Sequence, residues 1–136
     1  EATAEKAKKY RKAKKTVKLD GITVQIRLDK RRPLLVLKYG KEKIYEGEIS
    51  QSAVEQYINL ANTNGKELAR EAVMQLEALV NLLGKAGEAM VIPGIVEAKV
   101  SGKKVYIRTA TERAVLPWSG YDGVLRFVEE LRKKVF

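Results

Sequence analysis

Residues 21–49 read GITVQIRLDKRRPLLVLKYGKEKIYEGEI, and the periodicity of this stretch decides the fold class. Ile22, Val24, Ile26 and Leu28 alternate with Thr23, Gln25, Arg27 and Asp29. Successive side chains of a strand point to opposite faces, so the alternation predicts a strand buried on one face and wet on the other. Lys30, Arg31, Arg32 and Pro33 then link it to Leu34–Tyr39, whose nearly continuous apolar run predicts a more fully buried strand. Gly40-Lys41 reads as a tight turn and Lys43–Ile49 as the returning strand. Residues 20–49 are therefore expected to form a three-stranded antiparallel meander.

Downstream the period changes to that of a helix. Ser52 with Glu55 three residues later matches a capping box, and Val54, Tyr57, Ile58 and Ala61 follow at helical spacing. Asn62-Thr63-Asn64-Gly65 breaks that helix. A second one is predicted from about Lys66, with Leu68, Ala72, Leu76, Leu79 and Leu83 along one stripe and Gly84 as its C-cap. The stripe suits the cover of one sheet face. After Pro93-Gly94, residues 95–100 and 103–109 around Ser101-Gly102 read as a hairpin with Val105 and Ile107 on one face and Lys104, Tyr106 and Arg108 on the other. Residues 112–118 look like a looser stretch. A last helix from near Tyr121 carries Val124, Val128, Leu131 and Val135 at the spacing of a coiled-coil seam. The expectation is an α+β fold: a four- to five-stranded antiparallel sheet with helices on one face and a C-terminal helix leading toward a coiled coil.

The chain of 136 residues is one domain in size, long enough to bury a core without disulfides. It has neither Cys nor His, which excludes thiol nucleophiles, Cys/His metal sites and every serine–histidine relay. Only Asp20, Asp29 and Asp122 supply aspartate, Gly84-Lys85-Ala86-Gly87 lacks the spacing of a phosphate loop, and no catalytic constellation emerges, so the chain is read as a non-enzyme without metal or cofactor. No apolar run is long enough to span a bilayer. Charged residues make up 32 % of the chain, with two Met and no Cys, a bias toward a thermophilic, intracellular and cytoplasmic source. The chain opens at Glu1 without Met and stops at Phe136 inside a helical pattern, so a trimmed piece of a longer protein is expected.

The net charge of +10 is unevenly spread. Residues 1–20 hold 8 basic and 3 acidic side chains, 21–50 hold 7 and 4, 51–90 hold 3 and 5, and 91–136 hold 9 and 5. The excess thus belongs to the strand regions and to residues 1–18, a Lys/Ala-rich segment that reads either as a solvated, partly helical tail or as an arm contacting phosphates. Residues 19–136 form the nucleic-acid-binding domain in this reading. On the strands Gln25, Arg27, Lys104, Tyr106 and Arg108 lie opposite the regular aliphatic positions. Tyr39 and Tyr45 flank a turn, and Trp118 sits in a Leu-Pro-Trp-Ser-Gly loop. Rings among cations suit single-stranded nucleic acid, because bases stack on the rings while Arg and Lys neutralise the backbone. Each ring also has a packing role open to it, and Lys or Arg on exposed strands deters edge aggregation.

This layout of strands over 21–49 and 95–109, helices over 52–83 and a final helix over 121–136 resembles the ThermoDBP family, single-stranded DNA-binding proteins of hyperthermophilic crenarchaea in the Thermoproteales. The resemblance implies a fold other than the OB-fold and binding of single-stranded DNA without sequence specificity, protecting it in replication and repair. It also implies a homodimer through the C-terminal helix. The implied cleft has an aromatic floor, for which Tyr39, Tyr45, Tyr106 and Trp118 are the candidates. Its basic edges would come from Arg27, Arg31, Arg32, Lys104 and Arg108. RNA binding, or a ribosome-associated assembly role anchored by the basic tail, is the alternative.

Overall fold

The structure, a computed structural model, describes residues 16–28, 32–85 and 97–136, and for residues 83–85 the backbone only. Among the described residues there are seven strands: β1 (Thr16–Leu19), β2 (Ile22–Arg27), β3 (Leu34–Tyr39), β4 (Glu42–Glu48), β5 (Glu97–Ser101), β6 (Lys104–Arg108) and β7 (Glu112–Pro117). They form one antiparallel sheet in the order β1-β2-β3-β4-β7-β6-β5. Two meanders, β1–β4 and β5–β7, meet where Tyr45, Glu46 and Gly47 face Ala114, Arg113 and Glu112.

The α+β class and the antiparallel sheet agree with the sequence reading, but the sheet has seven strands instead of four or five. Both additional strands hide in weakly patterned sequence. In β1, Val17 and Leu19 close a lysine-rich stretch, and Val17 is 4 % exposed, so residues assigned to the arm over 1–18 enter the sheet. Asp20, with φ 44°, and Gly21, with φ 82°, make the tight turn into β2, a left-handed pair that Asp and Gly tolerate. In β7 the alternation rests on small Ala114 and on Leu116, and it ends at Pro117, where a missing N–H is tolerated.

The helices of the described residues, α1 (Val54–Thr63), α2 (Gly65–Lys85) and α3 (Tyr121–Val135), cover one face. A 3-10 turn over Gln51–Ala53 precedes α1, so Ser52 lies inside the turn and its hydroxyl sits 3.3 Å from that of Ser50. The expected capping box does not form. Asn64 breaks the path to α2, and its Oδ1 accepts the Glu67 N–H at 3.3 Å. α2 runs through Gly84 to Lys85 and lays Leu68, Ala72, Leu76 and Leu79, each at most 1 % exposed, toward Ile22, Val24, Ile26, Leu35 and Leu37 of the sheet. Each such large aliphatic side chain contributes about 1.5–3 kcal/mol on burial.

α3 packs along α2 and toward β7. Its stripe Val124, Val128, Leu131 and Val135 is 0–3 % exposed. The seam positions expected to lead toward a coiled coil are therefore covered from within the chain. Among the described residues no helix is long and apolar enough to cross a membrane.

Candidate nucleic-acid interface

Among the described residues no helix lies on the other face of the sheet. Val105 and Ile107 of β6, like Ala114 and Leu116 of β7, are buried toward the helices, so Tyr106 and Arg108, with Arg113 and Val115, point the opposite way. Gln25 and Arg27 of β2 share that face. Helices α1 to α3 carry Lys66, Arg70, Lys85, Arg126, Arg132, Lys133 and Lys134 against Glu55, Glu67, Glu71, Glu77, Asp122, Glu129 and Glu130, in balance. By strand register, the helix-free face carries Lys18, Arg27, Lys38, Lys43, Lys99, Lys104, Arg108 and Arg113 against Glu46, Glu48 and Glu97. The positive excess of the described strands and helices thus gathers on the open face.

Two cross-strand rows form its centre. One runs Lys99, Tyr106, Val115, and the next, two residues along each strand, runs Glu97, Arg108, Arg113, Glu46. Tyr106 is 43 % exposed. Around it lies a concavity of about 330 Å³ lined by Lys43, Ile44, Glu46, Glu97, Arg108, Arg113 and Val115. Glu46, Arg108 and Arg113 also line a neighbouring hollow with Leu34, Glu48, Thr109 and Thr111, and Glu48 and Thr111 carry it on to Arg32 and Gln51. The result is a furrow along β4. From Lys43 to Glu48 it follows about 17 Å of strand.

Ion pairs hold its rims. Lys43 Nζ lies 2.9 Å from Glu46 Oε2, an Arg108 guanidinium nitrogen 3.1 Å from Glu97 Oε2, and an Arg32 one 3.2 Å from Glu48 Oε2. Partners this exposed hold each other weakly, at about 0–1 kcal/mol, so a phosphate can recruit the cations at little cost. Among the described residues Lys38, Lys99 and Arg113 make no ion pair.

The residues expected from sequence divide between the two faces. Tyr106 and Arg108 line the furrow, and Arg32 stands at its far end. Lys104 is on the open face and pairs with Glu42 at 3.7 Å, while Arg27 is on that face two strands from β4. Arg31 lies outside the described residues. Three of the four floor candidates are elsewhere. Tyr39 pairs with Ile22 and so turns to the helix side, meeting Phe127 edge-on at 5.5 Å. Trp118 packs partly buried against the core, its backbone N–H donating to the Lys103 carbonyl at 2.7 Å.

Tyr45 is the third, 1 % exposed beneath the sheet. Its hydroxyl donates to Glu112 Oε2 at 2.5 Å and lies 3.1 Å from Gln75 Oε1, while Gln75 Nε2 donates to the Tyr57 hydroxyl at 2.9 Å. Burial above all, then the hydrogen bond to Glu112, holds the Tyr45 phenol far above its ordinary value of 10.0. Burial also raises Tyr57. Gly47 leaves the room this phenol needs, since a Cβ there would collide with the Tyr45 hydroxyl.

Comparison with family models, curated proteins and solved structures finds no match. Sequence reasoning missed Lys43, Glu46, Glu97, Lys99 and Arg113. Arg113 was legible from its parity against Ala114 and Leu116, once residues 112–117 are taken as a strand. Lys43 was not, because an irregularity in the β3–β4 register pairs Leu37 with Tyr45 but Lys38 with Lys43, making Ile44 an extra residue that breaks the period.

Proposed function

We propose that the helix-free sheet face binds single-stranded nucleic acid, DNA foremost and strands of any sequence, with the backbone following the furrow and bases stacking on Tyr106. The observation that carries this reading is the exposed Tyr106 set among cations in a furrow of the face on which the positive excess of the described strands and helices gathers. A base stacked on such a ring contributes about 1–3 kcal/mol, and a duplex hides the base faces that the contact uses. Lys43, then Arg108 and Arg113 side by side, then Arg32 follow one another along the furrow and would meet the phosphates of the strand. In this reading the chain acts as the ThermoDBP proteins do, shielding single strands in the cytoplasm without an OB barrel. A homodimer would form through a surface other than the α3 seam.

Titration of labelled oligonucleotides, single and double stranded, DNA and RNA, at several salt concentrations tests the proposal. With about four phosphates neutralised, log K falls against log salt with a slope near −0.7 × 4, about −2.8. Equal or tighter binding to duplex would remove the stacking role of Tyr106.

The basic residues within 1–15 favour a second reading, a protein anchored on RNA or a ribosome through its tail. Removing residues 1–15 separates the two, because it spares every described strand, β1 (Thr16–Leu19) included. Affinity retained by residues 16–136 supports the furrow. Affinity lost entirely supports the tail.

A further inference from the structure

Resting on the reading above and deepening it, we propose that the furrow, while accepting any single strand, prefers guanine at the position stacked on Tyr106. The reason lies in two carboxylates that a path for a polyanion has no use for. Glu97 and Glu46 end the row Glu97, Arg108, Arg113, Glu46, which sets a carboxylate beside a guanidinium twice. Both line the same concavity as Tyr106. Like charge there opposes phosphate, so these groups cost affinity unless they meet something other than the backbone.

A base edge supplies that. The row lies about 7 Å from the Tyr106 row, two residues of strand, which is the reach of a base stacked on the ring. Guanine presents two neighbouring N–H donors, N1 and the 2-amino group, to the paired oxygens of a carboxylate. It also presents two neighbouring acceptors, O6 and N7, to the fork of a guanidinium. Thymine and uracil carry no amino group for a carboxylate to accept. The carboxylates have capacity left, since the ion pairs of Glu97 with Arg108 and of Glu46 with Lys43 each engage Oε2. These exposed pairs rearrange cheaply, and Arg113 makes no ion pair among the described residues.

Fluorescence anisotropy with three labelled strands tests this: a homothymidine oligonucleotide, the same strand with one central guanine, and the same strand with hypoxanthine there, which stacks like guanine but lacks the 2-amino group. The guanine strand is expected to bind roughly fivefold tighter or more than homothymidine, with most of the gain lost on hypoxanthine. In the Glu46→Gln/Glu97→Gln double variant, homothymidine should bind at least as tightly as before and guanine no better than hypoxanthine. Equal binding of the guanine and hypoxanthine strands to the unaltered protein would overturn the preference, leaving the carboxylates as surface ion-pair partners only. A guanine gain that survives in the double variant would overturn it equally. Absence of binding to all three strands would instead bring down the single-strand reading, and this preference with it.

Discussion

Tyr106→Ala removes a ring from the open face without opening the core. Its affinity for single strands should fall by about 1–3 kcal/mol, with the unfolding midpoint little changed, as read by anisotropy beside thermal denaturation. At Tyr45 the balance is reversed. Tyr45→Phe leaves Glu112 without its hydroxyl partner beneath the sheet, and should cost about 1–3 kcal/mol of stability while sparing affinity. The raised phenol also gives a pH signature. Folded Tyr45 keeps a proton that the unfolded chain releases near its ordinary value of 10.0, so stability is intact below that pH and falls above it. The loss approaches about 1.4 kcal/mol per pH unit, and Tyr45→Phe should flatten this alkaline limb in denaturant titrations. Sequence placed Tyr106 by its alternation with Val105 and Ile107, but not Tyr45, because the extra residue at Ile44 interrupts the period of β4 and only the register opposite Ala114 turns Tyr45 to the helix side.

Elements whose apolar period is strong were legible, and those built on small or interrupted patterns were not. β2, β3, α2 and the β5–β6 hairpin follow from alternation and from a helical stripe that single residues cannot disguise. β1 and β7 did not, because a two-residue apolar pattern and a terminal proline carry little signal, although each completes a face that the others leave short. For α3 the sequence specified the stripe but not its partner: spacing shows which side is apolar, not whether another copy or α2 covers it. Leu131→Ala distinguishes these cases. Because Leu131 is fully buried within the chain, the substitution should lower stability by about 2–5 kcal/mol in chemical denaturation, by the same amount at low and high protein concentration. A concentration-dependent loss would point to a seam between copies.

At the scale of the molecule, charge among the described residues is sorted by layer, with a balanced helical side and a cationic sheet side. Reversing one charge on each makes the sorting measurable. Arg113→Glu should weaken single-strand binding and make its salt slope shallower by about 0.7, whereas Lys133→Glu on α3 should leave both unchanged. The candidate furrow was legible in sequence only as its β6 portion, since its other rim comes from β4 and β7, and nothing in a linear pattern announces that residues 45–47 lie against residues 112–114.

That same pairing has a consequence for how the sheet comes apart. Every other strand contact among the described residues joins neighbours along the chain, whereas the ladder of Tyr45, Glu46 and Gly47 with Ala114, Arg113 and Glu112 is short and closes a long loop. It is the natural line along which the two meanders part in partial opening, with amide protons near Glu46 and Arg113 exchanging ahead of those in β2 and β3. The furrow lies across this line, with Glu46 on one bank and Arg113 on the other. A ligand seated there fastens the two halves of the sheet together, so occupancy should be visible as slowed hydrogen exchange along the join.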